Sequence, residues 1–452
     1  MPRRTPIASP LNTSLTAANS PEPAYIYALS LLPTATDTAA TTTAAVAAAV
    51  CALTSVNGLH VLDPGTLAPL HTINTAQQEQ QQQHTLLKAY GPNTLLTAGG
   101  QSRNLSLHDI RAPALSMALT APHAVCSIAV AASTGAIAAG TERPEGARGG
   151  EGASVLVWDV RSPQGGTAAP LRHYTESHSD DITALAFAPP PQHGSDGGHR
   201  QHQQRLVSGG MDAQITVFDL SAAAAAKSGE ADDEVDGAVV DVWNHGSSVR
   251  CLGWFGGGAD VWALSHDEAL AVYGGPPRGE RRLGDVREQR PAGDAEYVVD
   301  VLPHPHPHLR PSDDEGEEDE DEGGMARAWV VAGNKAQQWV DLVPFSVARG
   351  VLLDGDGGYR LLGGHGAEVC RDLVFDAGVC FTRCSLFLSW QTLIFCWQTG
   401  TMYTGGEDGI VRAWRAPAAA ATVAAADELP VHKQPKKTRK EDAEKKKRFR
   451  PY

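Results

Sequence analysis

The sequence predicts an all-β fold assembled from seven copies of one strand-rich unit. Three observations carry that expectation. A strand, a Gly-Gly break, an acidic turn and a second alternating strand recur along the chain; several copies follow a β-rich run led by His; and the composition suits short strands joined by turns. With 46 Gly and 29 Pro in 452 residues, 20% charged and 6% aromatic, a coiled coil, a collagen-like chain and a disulfide-stapled miniprotein are all excluded. Length alone would suggest domains of about 150 residues each, but a repeat is to be sought before domains are counted.

Taken in order, the looser copies occupy residues 49–63, 95–109 and 137–159, the third with an insertion. The clearest copy, residues 206–219, reads Leu-Val-Ser-Gly-Gly-Met-Asp-Ala-Gln-Ile-Thr-Val-Phe-Asp. Residues 261–273 and 329–341 follow, and the series ends at 401–414 with Thr-Met-Tyr-Thr-Gly-Gly-Glu-Asp-Gly-Ile-Val-Arg-Ala-Trp. Upstream runs start at His123, His178, His245 and His365, and their period-two alternation indicates strands with a buried face. The terminal strand positions fall at Leu62, His108, Trp158, Phe218, Tyr273, Val340 and Trp414, 46 to 74 residues apart. A plain repeat of this kind needs roughly 40–45. The excess lies in residues 77–83, 141–153, 190–204, 221–237 and 311–324, which are too polar or too small-residue-rich to offset their ordering entropy and are expected to be mobile loops.

These units resemble the repeats of the WD-repeat family over residues 24–415. The resemblance implies a seven-bladed WD-repeat β-propeller, preceded by an N-terminal arm (1–23) and followed by an Ala-rich linker and a disordered basic C-terminal tail (416–452). Ring closure through residues 2–20 or through 416–428 stays open. In this family a His, a Ser or Thr, an Asp and a Trp of one repeat form a hydrogen-bonded structural set. His365, Thr404, Asp408 and Trp414 match all four positions; His178, Ser208 and Asp212 match three, with Phe218 in place of Trp. An Asp–His–Ser set can be mistaken for a hydrolase triad, but repetition at one structural position favours the satisfaction of buried polar groups. The first repeat carries Val56 and Leu62 at the Asp and Trp positions, so that blade is expected to rely on packing alone.

Two consecutive repeats end in His108-Asp-Ile-Arg111 and Trp158-Asp-Val-Arg161. Such endings resemble those of propellers that serve as substrate receptors of cullin-RING ubiquitin ligases. Asp109, Arg111, Asp159 and Arg161 would there meet an adaptor; the alternative is Arg pairing across blades.

Net charge is −15, but ten Lys/Arg against three acids give residues 433–450 a charge of +7 and leave −22 for the rest. In the tail, Lys436, Lys437, Arg439, Lys440, Lys445, Lys446, Lys447 and Arg448 read as a nuclear-localisation patch, with RNA association second. The acid run at 313–322 reads as a solvated loop or a docking surface for a basic partner, which phosphorylation of Ser312 would strengthen. Seven scattered cysteines and no apolar leader indicate reduced intracellular thiols. His304, His306 and His308 lack a Cys partner at familiar metal-site spacing, and no Gly-Lys-Ser/Thr phosphate loop follows the Gly pairs. No metal and no cofactor are expected.

Residues 379–398 interrupt the last repeat with three Cys and two Trp. Removing them restores an ordinary repeat, and Val379 and Gln398 permit intron borders, so the segment reads as a retained intron translated in frame or as a genuine hydrophobic insertion. The sequence as a whole points to a monomeric, non-enzymatic protein-interaction scaffold. It would act in the nucleus and also the cytoplasm, away from membranes, with partners on the rim and top face.

Overall fold

The computed structural model describes residues 5–7, 9, 11–15, 24–33, 47–75, 83–112, 114–146, 152–161, 169–190, 204–221, 238–255, 258, 260–274, 279–286, 295–303, 328–346, 351–352, 358–376 and 401–415. All of them lie in one compact unit, Met1–Ala416; Pro417–Tyr452 is a second unit. Among the described residues there is no α-helix, and the strands form seven sheets.

Blade one comprises Ile26–Pro33, Ala47–Thr54, Gly58–Leu62 and Pro69–Asn74; blade two comprises Leu86–Gly91, Thr94–Ala98, Asn104–Asp109 and Ala114–Thr120. Blade three is Val125–Ala131, Ala136–Thr141, Ala153–Asp159 and Arg172–His178; blade four is Ala184–Phe187, Arg205–Gly209, Gln214–Asp219 and Val239–Asn244. Blade five is Val249–Phe255, Asp260–Ser265, Ala269–Gly274 and Gly279–Asp285. Blade six is Tyr297–Pro303, Ala328–Asn334, Trp339–Ser346 and Tyr359–Leu362, with Val351–Leu352 also paired to its third strand. Blade seven takes Cys370–Asp376, Thr401–Gly406 and Ile410–Arg415 from the end of the chain and Leu11–Ser14 from its beginning. The fold is a seven-bladed β-propeller, and its ring closes through the N-terminus.

Packing explains why the third strands read as nearly continuous apolar runs. Each blade is buried on both faces, as in any sheet sandwiched between layers. In blade four, Leu206 and Phe218 turn toward blade three, while Val207, Ile215 and Val217 turn toward blade five. The same division repeats around the ring and produces seven cores, one for every blade–blade seam. The first strands of successive blades touch one another all the way round.

Register corrects one position read from the sequence. Phe218 is the fifth residue after Ala213, whose φ of 62° makes the tight turn between second and third strands. In blade six the left-handed turn residue is Gln338, φ 56°, so the matching position is Val343 rather than Val340. In blade seven the turn residue is Gly409, φ 70°. A side chain there costs about 1–2 kcal/mol in the left-handed region, partly offset by the greater unfolded-state entropy of glycine. Ala213→Gly is therefore expected to stabilise blade four by about 0.5–1 kcal/mol, measured as an increase in the urea midpoint; a decrease would contradict the strain.

Two short strands precede blade one. Leu11–Ser14 pairs antiparallel with Ile410–Arg415, and Ser9 Oγ donates to the Ala413 carbonyl at 2.9 Å. Before it, Thr5–Ile7 pairs in parallel with Tyr359–Leu362. Burying Ile7 contributes about 1.5–3 kcal/mol and each main-chain bond about 1, against about 1–2 per residue for ordering the backbone. Those figures cancel to within a few kcal/mol, so this three-residue strand is held only weakly.

The segment 379–398 lies outside the described residues, as do the loop segments at 77–82, 147–151, 191–203, 222–237 and 311–324. The strands flanking 379–398 pair fully, with Asp376 opposite Thr401. Its removal would leave Ala377, Gly378, Thr399 and Gly400 as an ordinary four-residue hairpin connection.

Candidate functional site

Blade seven brings all four residues of its set together. Thr404 sits inside the second strand, Asp408 in the turn after it, and His365 in the loop that leads into the first strand. His365 Nε2 lies 2.9 Å from Thr404 Oγ1, and its Nδ1 lies 2.8 Å from Asp408 Oδ1. Trp414 Nε1 donates to Thr404 Oγ1 at 2.9 Å. With Nδ1–H donating to Asp408, Nε2 accepts the Thr404 hydroxyl proton, and the hydroxyl oxygen accepts from Trp414. In that tautomer both ring nitrogens and the hydroxyl are hydrogen-bonded, and Asp408 Oδ1 accepts from the Ile410 N–H as well. Arg412 adds an ion pair to Asp408 Oδ2 at 2.5 Å.

The Gly pair before Asp408 serves space rather than turn geometry. A Cβ on Gly405 would stand 2.7 Å from Ile26 of blade one, and one on Gly406 would stand 2.5 Å from His365 Nδ1. The first glycine thus lets the next blade approach, and the second makes room for the imidazole.

Blade four repeats the arrangement without the Trp. His178 Nε2 is 2.7 Å from Ser208 Oγ and its Nδ1 is 3.1 Å from Asp212 Oδ1, while Phe218 stacks on Tyr174 with centroids 4.8 Å apart. The distances are those of a hydrolase triad, but Ser208 and Thr404 are wholly buried and His178 and His365 are 2% exposed. A nucleophile needs access to its substrate; these hydroxyls face a blade seam.

Blades one, two and five use other groups for the same bonds. In blade two, His108 occupies the Trp position and its Nε2 lies 2.9 Å from Thr97 Oγ1, as the Trp414 indole does from Thr404. Blade one does not rely on packing alone. Thr54 Oγ1 donates to the Gly58 carbonyl at 3.1 Å and accepts from the Gly58 N–H at 3.2 Å, and Ser265 does the same with Ala269 in blade five. The hydroxyl thus satisfies the turn that Asp408 satisfies by accepting from the Ile410 N–H. Blade five also joins His245 Nδ1 to the Tyr273 hydroxyl at 2.8 Å.

Side chains near the axis tie each first strand to the next. Asp372 accepts from the Leu29 N–H at 2.7 Å, Ser30 from the Ala89 N–H at 2.9 Å, and Tyr297 from the Cys370 N–H at 3.2 Å. Ser127 donates to the Ile182 carbonyl at 2.7 Å, Arg250 to the Val298 carbonyl at 2.6 Å, and Thr183 to the Val249 carbonyl. The seam between blades two and three has a main-chain bond from Val125 to Ser102. The only signal in the sequence is a polar residue inside an otherwise apolar first strand.

Titration follows from this burial. Burial holds His60, His245 and His365 below the ordinary histidine value, in His365 against the pull of Asp408. Burial works to raise Asp212 and Asp408, but bonds from His178, and from His365 and Arg412, hold both below the usual carboxylate range. Both classes bind fewer protons folded than unfolded. Their stabilisation is complete above about pH 6.5 for the histidines and about pH 4 for the acids, and is lost as pH falls through the lowered folded values. Asp300 and Asp372 act in the opposite sense, because burial raises both, Asp372 to about 6. They bind more protons folded, so their contribution improves as pH falls, for Asp372 from about 6 toward 4. Asp372→Asn is therefore expected to steepen the loss of stability between pH 6 and 4, measured by urea unfolding; an unchanged pH profile would contradict it.

Arg111 and Arg161 lie at the ends of third strands in neighbouring blades, with side chains 69% and 62% exposed. Among the described residues neither forms a hydrogen bond or ion pair across blades. Arg111 forks onto its own Asp109 at 3.0 and 2.6 Å, and Arg161 onto Asp159 at 3.0 and 2.8 Å. The Arg111 hydrogen bonds bring the Asp109 carboxyl down to about 2.

The four described cysteines, Cys51, Cys126, Cys251 and Cys370, are free thiols, all raised by burial, Cys51 and Cys126 to about 12. Among the described residues no group of three or more His, Cys, Asp or Glu is placed to hold a metal, and no helix is long and apolar enough to cross a membrane. His304, His306 and His308, the acid run with Ser312, and the tail patch Lys436, Lys437, Arg439, Lys440, Lys445, Lys446, Lys447 and Arg448 lie outside the described residues.

A ring of seven four-stranded blades, two of them with His–Ser/Thr–Asp sets, is the arrangement that the WD-repeat resemblance implies, and the chain is similar to known WD-repeat proteins. The chain is 26% identical over 290 residues to an uncharacterized WD repeat-containing protein of Saccharomyces cerevisiae, covering 62% of this chain and 54% of the relative. It is 31% identical over 121 residues to an uncharacterized WD repeat-containing protein of Schizosaccharomyces pombe, covering 27% of this chain and 30% of that relative. The matched region thus spans about half the length of the first relative and under a third of the second. No protein-family model matches the chain. The WD-repeat resemblance read from the sequence is borne out.

Proposed function

We propose that the chain is a non-enzymatic protein-interaction scaffold that works in the nucleus and docks partners on its blade rims and top face. One observation carries this reading: the groups that could be taken for a catalytic set are buried in seams and engaged in framework hydrogen bonds. What the ring offers to solvent is rim chemistry held rigidly by sheet. The basic tail supports nuclear import. Residues 174–181, 265–268, 285–287 and 404–408 resemble, in the same order, stretches of WD-repeat-containing protein 89, and we place the chain near that subfamily.

Affinity capture from nuclear extract followed by mass spectrometry, with the full chain and with a chain ending at Glu428, tests the proposal. A reproducible partner set retained by the shortened chain is expected; capture of no specific partner by either would overturn it. Partners that are ribosomal or RNA-dependent and vanish with the tail would instead favour an RNA-associated assembly factor.

A second reading, a substrate receptor of a cullin-RING ubiquitin ligase, draws on the exposed Arg111 and Arg161. Each guanidinium is already forked onto its own Asp, which fixes its direction. Combined Arg111→Ala and Arg161→Ala substitution should abolish recovery of ligase subunits; unchanged recovery, or none with the unaltered chain, removes this reading.

A further inference from the structure

Blade six is complete without the N-terminus, because its own segments already supply four strands. Thr5–Ile7 is an additional strand at its outer edge, and its pairing with Tyr359–Leu362 is the only parallel pairing among the described strands. The strand is three residues long with Pro6 at its centre, which has no N–H to offer a further neighbour. Of its described side chains, Ile7 is the one that anchors it. Ile7 is 2% exposed and packs with Tyr359, Leu361, Cys370, Leu373 and Trp414 in the seam between blades six and seven.

Ring closure is the task of a different segment. Leu11–Ser14 completes blade seven, and Ser9 fastens the intervening chain to Ala413. The strap can therefore leave without opening the propeller. Its departure would expose an unpaired strand edge over Tyr359–Leu362 and a socket fitted to a branched aliphatic side chain.

We propose that the outer edge of blade six is a strand-docking site, occupied at rest by Thr5–Ile7. It accepts in parallel orientation an extended protein segment with a branched aliphatic residue in the place of Ile7. Main-chain pairing supplies affinity and the socket supplies selectivity, as in other cases of strand addition to a sheet edge. This deepens the scaffold reading above, on which it rests, by giving one docking place and the chemistry of its occupant.

The test uses the full chain carrying Ile7→Asp, which frees the strap, and a fluorescent synthetic peptide of residues 1–10 followed by anisotropy. The variant should bind the peptide, and the unaltered chain should bind it at least tenfold more weakly, because its tethered strap competes at an effective concentration on the order of millimolar. A peptide with Asp in place of Ile should not bind. If Ile7→Asp fails to unfold cooperatively, Ile7→Ala replaces it. Hydrogen exchange on the unaltered chain gives an independent reading: amides of Tyr359–Leu362 should exchange faster than those of Trp339–Ser346 and slow with excess peptide. A folded variant that does not bind, or equal binding by both chains, overturns the proposal. Absence of peptide binding alongside a reproducible captured partner set would remove the docking edge and leave the scaffold reading standing.

Discussion

Asp341→Ala is expected to lower the unfolding free energy by about 3–5 kcal/mol. Asp341 lies in the third strand of blade six with no exposed side-chain surface. Arg360 of the neighbouring strand forks onto it at 2.8 and 2.9 Å and lies over the Trp339 ring, 4.2 Å from its centroid. Removing the carboxylate takes from a largely buried guanidinium the acid it forks onto, and that loss rather than the worth of the bond sets the size of the effect. Asp109→Ala supplies the control. It breaks a fork of the same chemistry whose arginine is 69% exposed, and such a solvent-screened pair contributes little to stability. Arg360→Lys, which keeps the charge but loses the fork and the planar stacking, should fall between them. Urea unfolding of the three variants measures the order. Equal costs for Asp341→Ala and Asp109→Ala would show that burial does not govern these pairs.

Asp408→Ala is expected to cost a similar amount, about 3 kcal/mol or more. This carboxylate receives His365, Arg412 and the Ile410 N–H, so its removal leaves three donors short of an acceptor in the blade that closes the ring. Thr404→Val should cost less, about 1–3 kcal/mol, because the hydroxyl bonds are lost while the shape of the side chain is kept. Asp212→Ala in blade four should cost less than Asp408→Ala, since His178 and two main-chain N–H groups, but no arginine, depend on it. The reverse order would contradict the hydrogen-bond inventory.

The fold was largely legible in the sequence because its repeat is written twice in nearly full form, at Leu206 to Asp219 and at Thr401 to Trp414. Gly-Gly, Asp and a terminal aromatic fix the turn and the seam together. Legibility failed where a blade solves the same physical problem with other atoms. Thr54 satisfies its turn with a hydroxyl three residues before the left-handed residue, so a search for Asp passes over it; Ser265 stands at the same offset, beside an Asp267 that also accepts from the Ala269 N–H. Blade six was displaced by three residues because its turn, Asn334 to Gln338, has neither Gly nor Asp to mark it. Arg360 and Asp341 are 19 residues apart on paired strands, a relation that only register creates.

The candidate site was legible in part. Both His-centred sets were implied by the WD-repeat resemblance, and their members do meet. Closure by Leu11–Ser14 was beyond the pattern, because those four residues carry no repeat signature and their partner strand lies at the other end of the chain. The Asp-x-Arg endings marked the residues but not their pairing, because the fork between residues i and i+2 forms within one strand end through Nε and Nη2 of each arginine.

The most direct test of whether the buried sets hold the ring rather than react is labelling of the folded full chain with a fluorophosphonate probe, read by mass spectrometry at Ser208 and Thr404. Hydroxyls with no exposed surface in a blade seam should carry no label. Stoichiometric label on Ser208 that disappears with His178→Ala would mean that the set is a working nucleophile and that the scaffold reading is wrong.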